Sequence, residues 1–258
     1  MLYTILILVA VIGIGAAIVL NLPSFGKVPS GKRLARIEQS PNYRNGEFRN
    51  LEETPQMTSR KSTWRTMYDF FFPDVKDLSP KKALPAVQTD LHSLPDNTMV
   101  WFGHSSYLLN VNNTKLLVDP VFHSASPFPF MVKPFEATYN YSSADMPDTI
   151  EVLIITHDHW DHLDYKVMKE LKDRIGHVVC PLGVGAHFEY WGFDTAKITE
   201  LDWNDETHIA DLKLTCLPTR HFSGRGLKQR QSLWGSFTLE TGTYTIYIGG
   251  HSGYGKHI

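Results

Sequence analysis

The sequence predicts an α/β protein in which two packed sheets are flanked by helices. Short apolar, β-branched runs, such as residues 152–155, are typical of buried strands. They alternate with a few segments of helical spacing, such as residues 166–173, where Val167, Met168 and Leu171 share one side. Strands that alternate with occasional helices indicate layered sheets covered by helices. The 258-residue chain is long enough for one such domain with a sizeable core.

The N-terminal segment differs from the rest of the chain. Leu2–Leu20 is apolar except for Thr4 and carries no charge, and this length just spans a bilayer as a helix. A cleaved signal peptide is the alternative. No basic residue precedes the run and no clear A-x-A site ends it, which favours an uncleaved single-pass anchor. By the positive-inside rule, the basic residues that follow predict a cytoplasmic body: Lys27, Lys32, Arg33 and Arg36.

Composition divides the chain into three predicted parts: a transmembrane anchor or signal segment (1–20), a polar linker and irregular N-terminal extension (21–90), and a globular domain (91–258). Within the extension, Trp64, Tyr68 and Phe71 fall at helical spacing. The resulting apolar face could either dock on the domain or contact a membrane.

Charge and cysteine usage exclude several classes of protein. The formal net charge is −2 and no basic patch stands out, so nucleic acid is not a predicted partner. Cys180 and Cys216 lie in apolar, strand-like runs without a CxxC spacing. This predicts two buried free thiols and excludes both a disulfide framework and a zinc–cysteine site.

Four side chains of metal-binding type stand directly after the apolar run 152–155: His157, His159, Asp161 and His162. Imidazole suits zinc and other transition metals, and a carboxylate adds charge. On a continuous helix His157 and His159 would lie about 200° apart, whereas in a turning backbone alternate residues share a side. We therefore expect these two to bind one ion while Asp161 and His162 turn toward a second. A polar surface loop is the alternative, which this density of ligands disfavours.

The H-x-H-x-D-H pattern after an apolar strand resembles the signature of the metallo-β-lactamase fold. Further segments resemble, in the same order, the branch that contains N-acyl-phosphatidylethanolamine-hydrolysing phospholipase D and its bacterial relatives. The segments are 101–111 (WFGHSSYLLNV), 116–122 (LLVDPVF), 156–164 (THDHWDHLD), 181–193, 201–205, 218–226 (PTRHFSGRG) and 248–255 (IGGHSGYG). The resemblance runs roughly from residue 50 to the C-terminus and implies an αββα sandwich.

The resemblance implies two further metal ligands, of which His221 is the first. With His157 and His159 it would complete a three-imidazole site that leaves a fourth position open, as catalytic zinc sites do. The implied cofactor is Zn²⁺, as one or two ions, although other divalent transition metals would suit the same donors. Asp161 is predicted both as a ligand and as the catalytic carboxylate.

The second implied ligand, His251, departs from the family pattern. Relatives carry Asp in G-D-[ST]-G-Y, where the carboxylate bridges two ions, whereas this chain has His251 after Gly250. A neutral imidazole has one free lone pair and cannot bridge in this way. Relatives also continue beyond Ile258 to a last histidine ligand, which His257 is too close to His251 to replace. We therefore expect a weakened or single-metal site in an incomplete domain with a truncated C-terminal half.

Three more residues are candidates for orienting ligands or binding substrate, each with a structural alternative. Asp119 could orient a metal-bound imidazole or only end a strand beside Pro120. His104 could line the site or only form a turn. Arg225 could hold a phosphate oxygen bidentately or be a solvated loop residue.

The function implied by the resemblance is metal-dependent hydrolysis of a phosphodiester in an N-acyl-phosphatidylethanolamine-type phospholipid. The implied partners are that phospholipid and the membrane, and the sequence does not define an oligomeric state. One alternative is a lactone or sugar-phosphate lactone hydrolase, because fold does not fix function. The other is an inactive metal-binding fragment.

Overall fold

Two β-sheets pack face to face in the computed structural model, which describes residues 1–55, 61–128 and 130–255. The predicted alternation of strands and helices is present. The strands are β1 (Tyr43–Arg44), β2 (Glu47–Phe48), β3 (Thr98–Gly103), β4 (Ser106–Val111), β5 (Thr114–Val118), β6 (Ile150–Ile154), β7 (Ile175–Pro181), β8 (Ile198–Leu201), β9 (Glu206–Ile209), β10 (Leu212–Leu217), β11 (Ser236–Glu240) and β12 (Thr245–Ile248). The helices are α1 (Leu2–Leu20), α2 (Gly31–Ile37), α3 (Thr63–Phe71), α4 (Tyr165–Leu171) and α5 (Gly185–Tyr190).

The six-stranded sheet has the order β3-β4-β5-β6-β7-β8 and the second sheet the order β12-β11-β10-β9. Strands β5 to β8 run parallel, so the carboxyl ends of β5, β6 and β7 meet at one edge. A two-residue turn joins the antiparallel strands β4 and β5. Asn112 and Asn113 have φ angles of 52° and 56°, the left-handed pair that a two-residue type I′ turn requires.

Each face of the six-stranded sheet is covered by a separate apolar layer. Val118, Val152 and Ile154 point into the space between the sheets. The alternate residues Leu117 and Leu153 point outward and pack with α4 and α5. Of these two helices, α4 was predicted from its spacing, and it begins where the Asp164 carboxylate accepts hydrogen bonds from two backbone N–H groups. The sheets and helices thus form the layered α/β sandwich that the sequence predicts.

Part of the segment predicted as a linker packs on the domain. Ile37 in α2 and Phe48 in β2 are fully buried in the layer between the sheets. Arg33 of α2 makes an ion pair with the buried Glu200 carboxylate at 2.7 Å. Sequence periodicity does not reveal these contacts, because only isolated apolar residues stand in a polar stretch.

The two segments with exposed apolar faces project from the sandwich. Helix α1 has the predicted bounds Leu2–Leu20 and contains no buried residue. Its length and composition would let it cross a membrane, and a signal sequence would share both properties. In α3, every residue is exposed or half-buried, and Trp64 is 81% exposed. The docked alternative for α3 is therefore wrong for the residues that the structure describes.

Candidate metal centre

The histidine-rich segment forms a loop at the edge where the parallel strands end. This metal loop, residues 156–164, joins β6 to α4. Its first residue, Thr156, donates its backbone N–H to Asp119, and its carbonyl accepts the N–H of Gly235, the residue before β11 of the second sheet. Backbone hydrogen bonds from His162 and Leu163 to the His159 carbonyl then turn the chain. The loop is thus held by both sheets and presents its histidines between them.

Three imidazoles form the first set of candidate ligands: His157, His159 and His221. His157 Nε2 lies 3.1 Å from His159 Nδ1, which in turn lies 3.2 Å from His221 Nε2. Ligands about 2.0–2.1 Å from a tetrahedral zinc ion would be separated by about 3.3 Å. His221 comes from the loop after β10, so the structure brings it to the other two as the sequence predicts. The binding of an ion by this set remains a prediction.

The hydrogen bonds around Thr156 define which nitrogen of His157 carries a proton. The Thr156 hydroxyl donates its only proton to Asp119 Oδ2 at 2.6 Å. It can therefore only accept a hydrogen bond from His157 Nδ1, which lies 3.0 Å away. His157 Nε2 is left with a free lone pair directed at the other two rings, which is the form that binds a metal.

Burial keeps the rings of the first set neutral. Loss of solvent, followed by repulsion from neighbouring imidazoles, holds the pKa of His157 well below its ordinary value. Burial likewise lowers the pKa of His159 and lowers that of His221 to about 3. Neutral imidazoles clustered in a polar pocket suit a cation, because metal binding requires deprotonated nitrogens.

The second set of candidate ligands is Asp161, His162 and His251. His162 is fully buried, and its Nδ1 donates to Asp119 Oδ2 at 2.7 Å. Among the described residues, no partner lies within hydrogen-bonding distance of its Nε2. The His251 ring centroid lies 4.5 Å from that of His162, and Asp161 Oδ2 lies 3.8 Å from His162 Nε2. A buried lone pair beside a carboxylate and another imidazole fits a bound cation.

Asp119 therefore occupies the orienting position that the resemblance implied for it. It is fully buried with φ of 39°, and its two oxygens accept the Thr156 N–H, the Thr156 hydroxyl and the His162 ring N–H. One carboxylate thus fixes the tautomer of His162 directly and that of His157 through Thr156.

His104 lies beside the second set. It forms the turn between β3 and β4, and its Nε2 is 3.1 Å from Asp161 Oδ2. This hydrogen bond raises the pKa of His104. For Asp161, burial favours the protonated form, but the contacts with His104 and His162 outweigh it and hold the pKa below its ordinary range. The sequence left His104 as either a site residue or a turn residue, and the structure places it in both positions.

His251 reaches the site because Gly250 allows the backbone to pass close to the metal loop. A Cβ on Gly250 would lie 2.7 Å from the Gly235 carbonyl oxygen and 2.9 Å from the Thr156 Cβ.

We expect Gly250→Ala to displace His251 and to destabilise the fold by about 1–3 kcal/mol. Chemical denaturation and metal titration would measure both effects. Gly253→Ala is the matched control, since its Cβ would meet its nearest neighbour at 3.5 Å, and equal behaviour of the two variants would contradict the expectation.

Arg225 is neither the substrate-facing cation nor the solvated loop residue that the sequence suggested. It is 4% exposed, and its guanidinium donates to the backbone carbonyls of Ser24, Asp158 and Leu163. The guanidinium carbon also lies 4.0 Å from the centroid of the Trp160 ring. Burial lowers the pKa of Arg225 to about 10, so it remains charged near neutral pH. Arg225 therefore holds the metal loop in place.

Sequence reasoning also missed two groups that support the site. The Asn50 side chain donates to the His221 carbonyl and accepts the His221 N–H, so it fixes the backbone of that ligand. Asp158 is not in either candidate ligand set and accepts hydrogen bonds from Ser232, Gly224 and the His187 ring. Nothing in the sequence distinguishes Asn50 from the other polar residues of the N-terminal extension. Asp158 stands among candidate ligands of the same chemical type, so its different role could not be predicted.

Comparison with known proteins finds a matching family and several similar proteins. The sequence profile described as the beta-lactamase superfamily domain matches residues 114–258. An uncharacterized protein of Mycobacterium tuberculosis is 33% identical over 223 residues, which cover 85% of this chain and 60% of the relative. N-acyl-phosphatidylethanolamine-hydrolyzing phospholipase D 1 of Caenorhabditis elegans is 25% identical over 178 residues, which cover 64% of this chain and 49% of the relative. Among solved structures, the diiron β-hydroxylase CmlA of Streptomyces venezuelae aligns with a TM-score of 0.47 at 23% identity. The alignment covers 60% of this chain and 30% of CmlA.

The chain belongs to the beta-lactamase superfamily and has its metallo-β-lactamase fold, because the family profile covers more than half of it. This confirms the family and fold class predicted from the motifs, and the similarity to the nematode enzyme agrees with the predicted branch. The family includes metal-dependent hydrolases. The chain spans about half to three fifths of the length of the two curated relatives described above.

Proposed function

We propose that this protein is a metal-dependent phosphodiesterase that acts on N-acyl-phosphatidylethanolamine-type phospholipids at a membrane surface. The family supports metal-dependent hydrolysis, and the similarity to an N-acyl-phosphatidylethanolamine-hydrolyzing phospholipase D supports the phosphodiester. The main observation in favour of a lipid substrate is that the metal loop lies close to the end of α1.

The chain joins the apolar helix to the metal loop over a very short distance. Leu20 ends α1, and Phe25, five residues later, packs edge-on against Trp160 with ring centroids 5.0 Å apart. Trp160 stands between the ligand candidates His159 and Asp161. A five-residue span extends at most about 18 Å. If α1 lies in a bilayer, the candidate metal centre must lie close to the level of the lipid headgroups.

The open side of the site carries both polar donors and aromatic rings. His157 and His162 are buried, whereas the side chains of His104 and Asp161 are 48% and 32% exposed. Trp101 is exposed at this rim and donates its indole N–H to the His104 carbonyl. A substrate would therefore enter from the side of the second set, where an amphipathic molecule meets an aromatic surface.

The residues present fit the metal ions that the family implies. The first set would hold one ion and the second set another, with Asp119 fixing ring orientations and Arg225 and Asn50 holding the two loops. When bound, such ions supply Lewis acidity and activate water for attack on a phosphoryl group. The two sets are adjacent, with ring centroids of His157 and His162 4.0 Å apart, so ions held there would both stabilise the negative charge of one phosphodiester.

Two phosphodiesters tested on the same preparation would separate the chemistry from the lipid specificity. The full chain in detergent, loaded with zinc, should hydrolyse bis(4-nitrophenyl) phosphate, and in vesicles it should release phosphatidic acid from N-acyl-phosphatidylethanolamine. His221→Ala should lower both rates by at least about 100-fold, because it removes one ligand of the first set. His92→Ala, at an exposed histidine outside both sets, is the matched control.

Removal of residues 1–20 tests the role of the membrane. Because α1 contains no buried residue, its deletion removes no part of the core. The shortened chain should retain hydrolysis of the soluble diester and lose most of its rate on vesicles. Hydrolysis of a lactone without any phosphodiesterase activity would support the rival function. A chain that binds metal but turns over none of these substrates would support the inactive alternative.

A further inference from the structure

His104 lies beside the metal loop, and the family pattern gives it no ligand role. It has φ of 47°, a left-handed conformation that is uncommon outside glycine. The indole N–H of Trp101 fixes this turn by donating to the His104 carbonyl at 2.9 Å. The turn therefore holds the His104 ring against Asp161 of the metal loop, with about half of the side chain still exposed.

The ring of His104 converges with the entire second set. Its Nε2 lies 3.1 Å from Asp161 Oδ2, and its ring centroid lies 5.1 Å from His162 and 4.9 Å from His251. One donor atom from each of the four residues lies within 4.8 Å of the other three. With His104 Nε2 and His162 Nε2 at 3.1 and 3.8 Å from Asp161 Oδ2, the four donors surround a common point.

A second, independent observation comes from His162. Its Nδ1 proton is committed to the Asp119 carboxylate, so its Nε2 carries a lone pair. That nitrogen is buried and has no hydrogen-bonding partner among the described residues. A buried acceptor left without a partner is costly, and it lies in the same cluster as the donor atoms of His104, Asp161 and His251.

We propose that His104 is a direct ligand of a divalent transition metal and completes a four-ligand site with the second set. The proposal rests on the metal-dependent function proposed above. It gives the site three imidazoles and one carboxylate, whereas the first set has three neutral imidazoles only. Because the additional ligand and the negative charge of Asp161 both favour a dication, this site binds metal more tightly than the first set.

This assignment changes the expected consequence of His251. From the sequence, His251 in place of a bridging aspartate predicts a weakened or absent second site. With His104 as a ligand, His251 needs to contact only one ion, and the site no longer depends on a bridging carboxylate. Four protein ligands close a tetrahedral site, whereas three leave a position open. The first equivalent of metal would then occupy the closed site, and hydrolytic activity would require the second.

Cobalt titration of the full chain in detergent tests the assignment without reference to any substrate. The metal-free protein would be titrated with Co²⁺ while visible absorption and bound cobalt are measured. The unmodified chain and the His92→Ala control should bind two ions in two resolved steps. His104→Ala should weaken the tighter step by at least about 100-fold and leave the weaker step in place.

His104→Gln distinguishes a ligand from a residue that only positions Asp161. Glutamine keeps an N–H donor for the Asp161 carboxylate but lacks the imidazole nitrogen that suits cobalt. We therefore expect it to behave like His104→Ala. Cobalt binding by His104→Gln at the unmodified affinity would overturn the proposal and assign His104 to a positioning role. The retained step at the first set and the circular dichroism spectrum show that each variant is folded.

The remaining outcomes also decide the question. An unmodified chain that binds a single cobalt ion, unaffected by His104→Ala, overturns this proposal but leaves a one-metal hydrolase standing. A chain that binds no cobalt overturns both this proposal and the proposed metal-dependent function. The expected cobalt pattern together with inactivity on phosphodiesters would support the site and contradict only the proposed function.

Discussion

Replacement of Arg225 by methionine is expected to cost about 3–5 kcal/mol of folding free energy, a large part of the 5–15 kcal/mol that holds a typical domain together. The substitution keeps an apolar stem of similar length but removes every donor. The carbonyls of Ser24, Asp158 and Leu163 would then lose a buried charged partner, and the Asp158 carboxylate would lose a nearby positive charge. Urea denaturation followed by circular dichroism would measure the loss.

Two further variants define the cause of this effect. Lys228→Met, at an exposed cation three residues away, should change stability by no more than about 0.5 kcal/mol. Arg225→Lys keeps the charge but cannot contact three carbonyls and stack on Trp160 through a planar group. Its loss of folding free energy should therefore lie between those of Arg225→Met and Lys228→Met. A stability of Arg225→Met equal to that of Lys228→Met would show that the metal loop is held by other contacts.

The part of the site that is contiguous in sequence was predictable, because strand and ligands occupy one short segment. The apolar run of β6 placed His157, His159, Asp161 and His162 at a strand end without any tertiary information. His221 required the family resemblance, since nothing local distinguishes it from a histidine in a polar loop. The structure explains its position through antiparallel β10, which ends at the same edge as parallel β6.

His104 and Arg225 show what the sequence could not supply. The sequence around a lone histidine in a turn does not indicate which residue it will contact. The position of His104 beside Asp161 follows only because the β3–β4 turn lies at the edge where β5 and β6 end. For Arg225, composition and spacing predict a cation near the site but not the direction of its side chain. Whether such a side chain faces substrate or backbone is decided by tertiary packing against Trp160 and the N-terminal segment.

Replacement of Asp119 by asparagine is expected to lower the affinity for metal by about 10- to 100-fold with little change in shape. Asparagine keeps one oxygen, which can still accept the Thr156 N–H as Asp119 Oδ1 does. Its amide NH₂ would then stand where Oδ2 now accepts from the Thr156 hydroxyl and from His162 Nδ1. Since a donor there cannot accept the His162 proton, the ring would move its proton to Nε2 and lose the lone pair that faces the second set.

The same substitution should disturb the first set less, because His157 is linked to Asp119 only through the Thr156 hydroxyl. Cobalt titration should therefore show the larger loss in the step assigned to the second set. Asp194→Asn is the matched control, since Asp194 accepts a backbone N–H at the start of a short 3₁₀ helix and asparagine fills that position equally well. Equal cobalt affinity of Asp119→Asn and the control would mean that the tautomer of His162 does not depend on this carboxylate. A loss confined to the first set would instead mean that Thr156, rather than His162, transmits the effect.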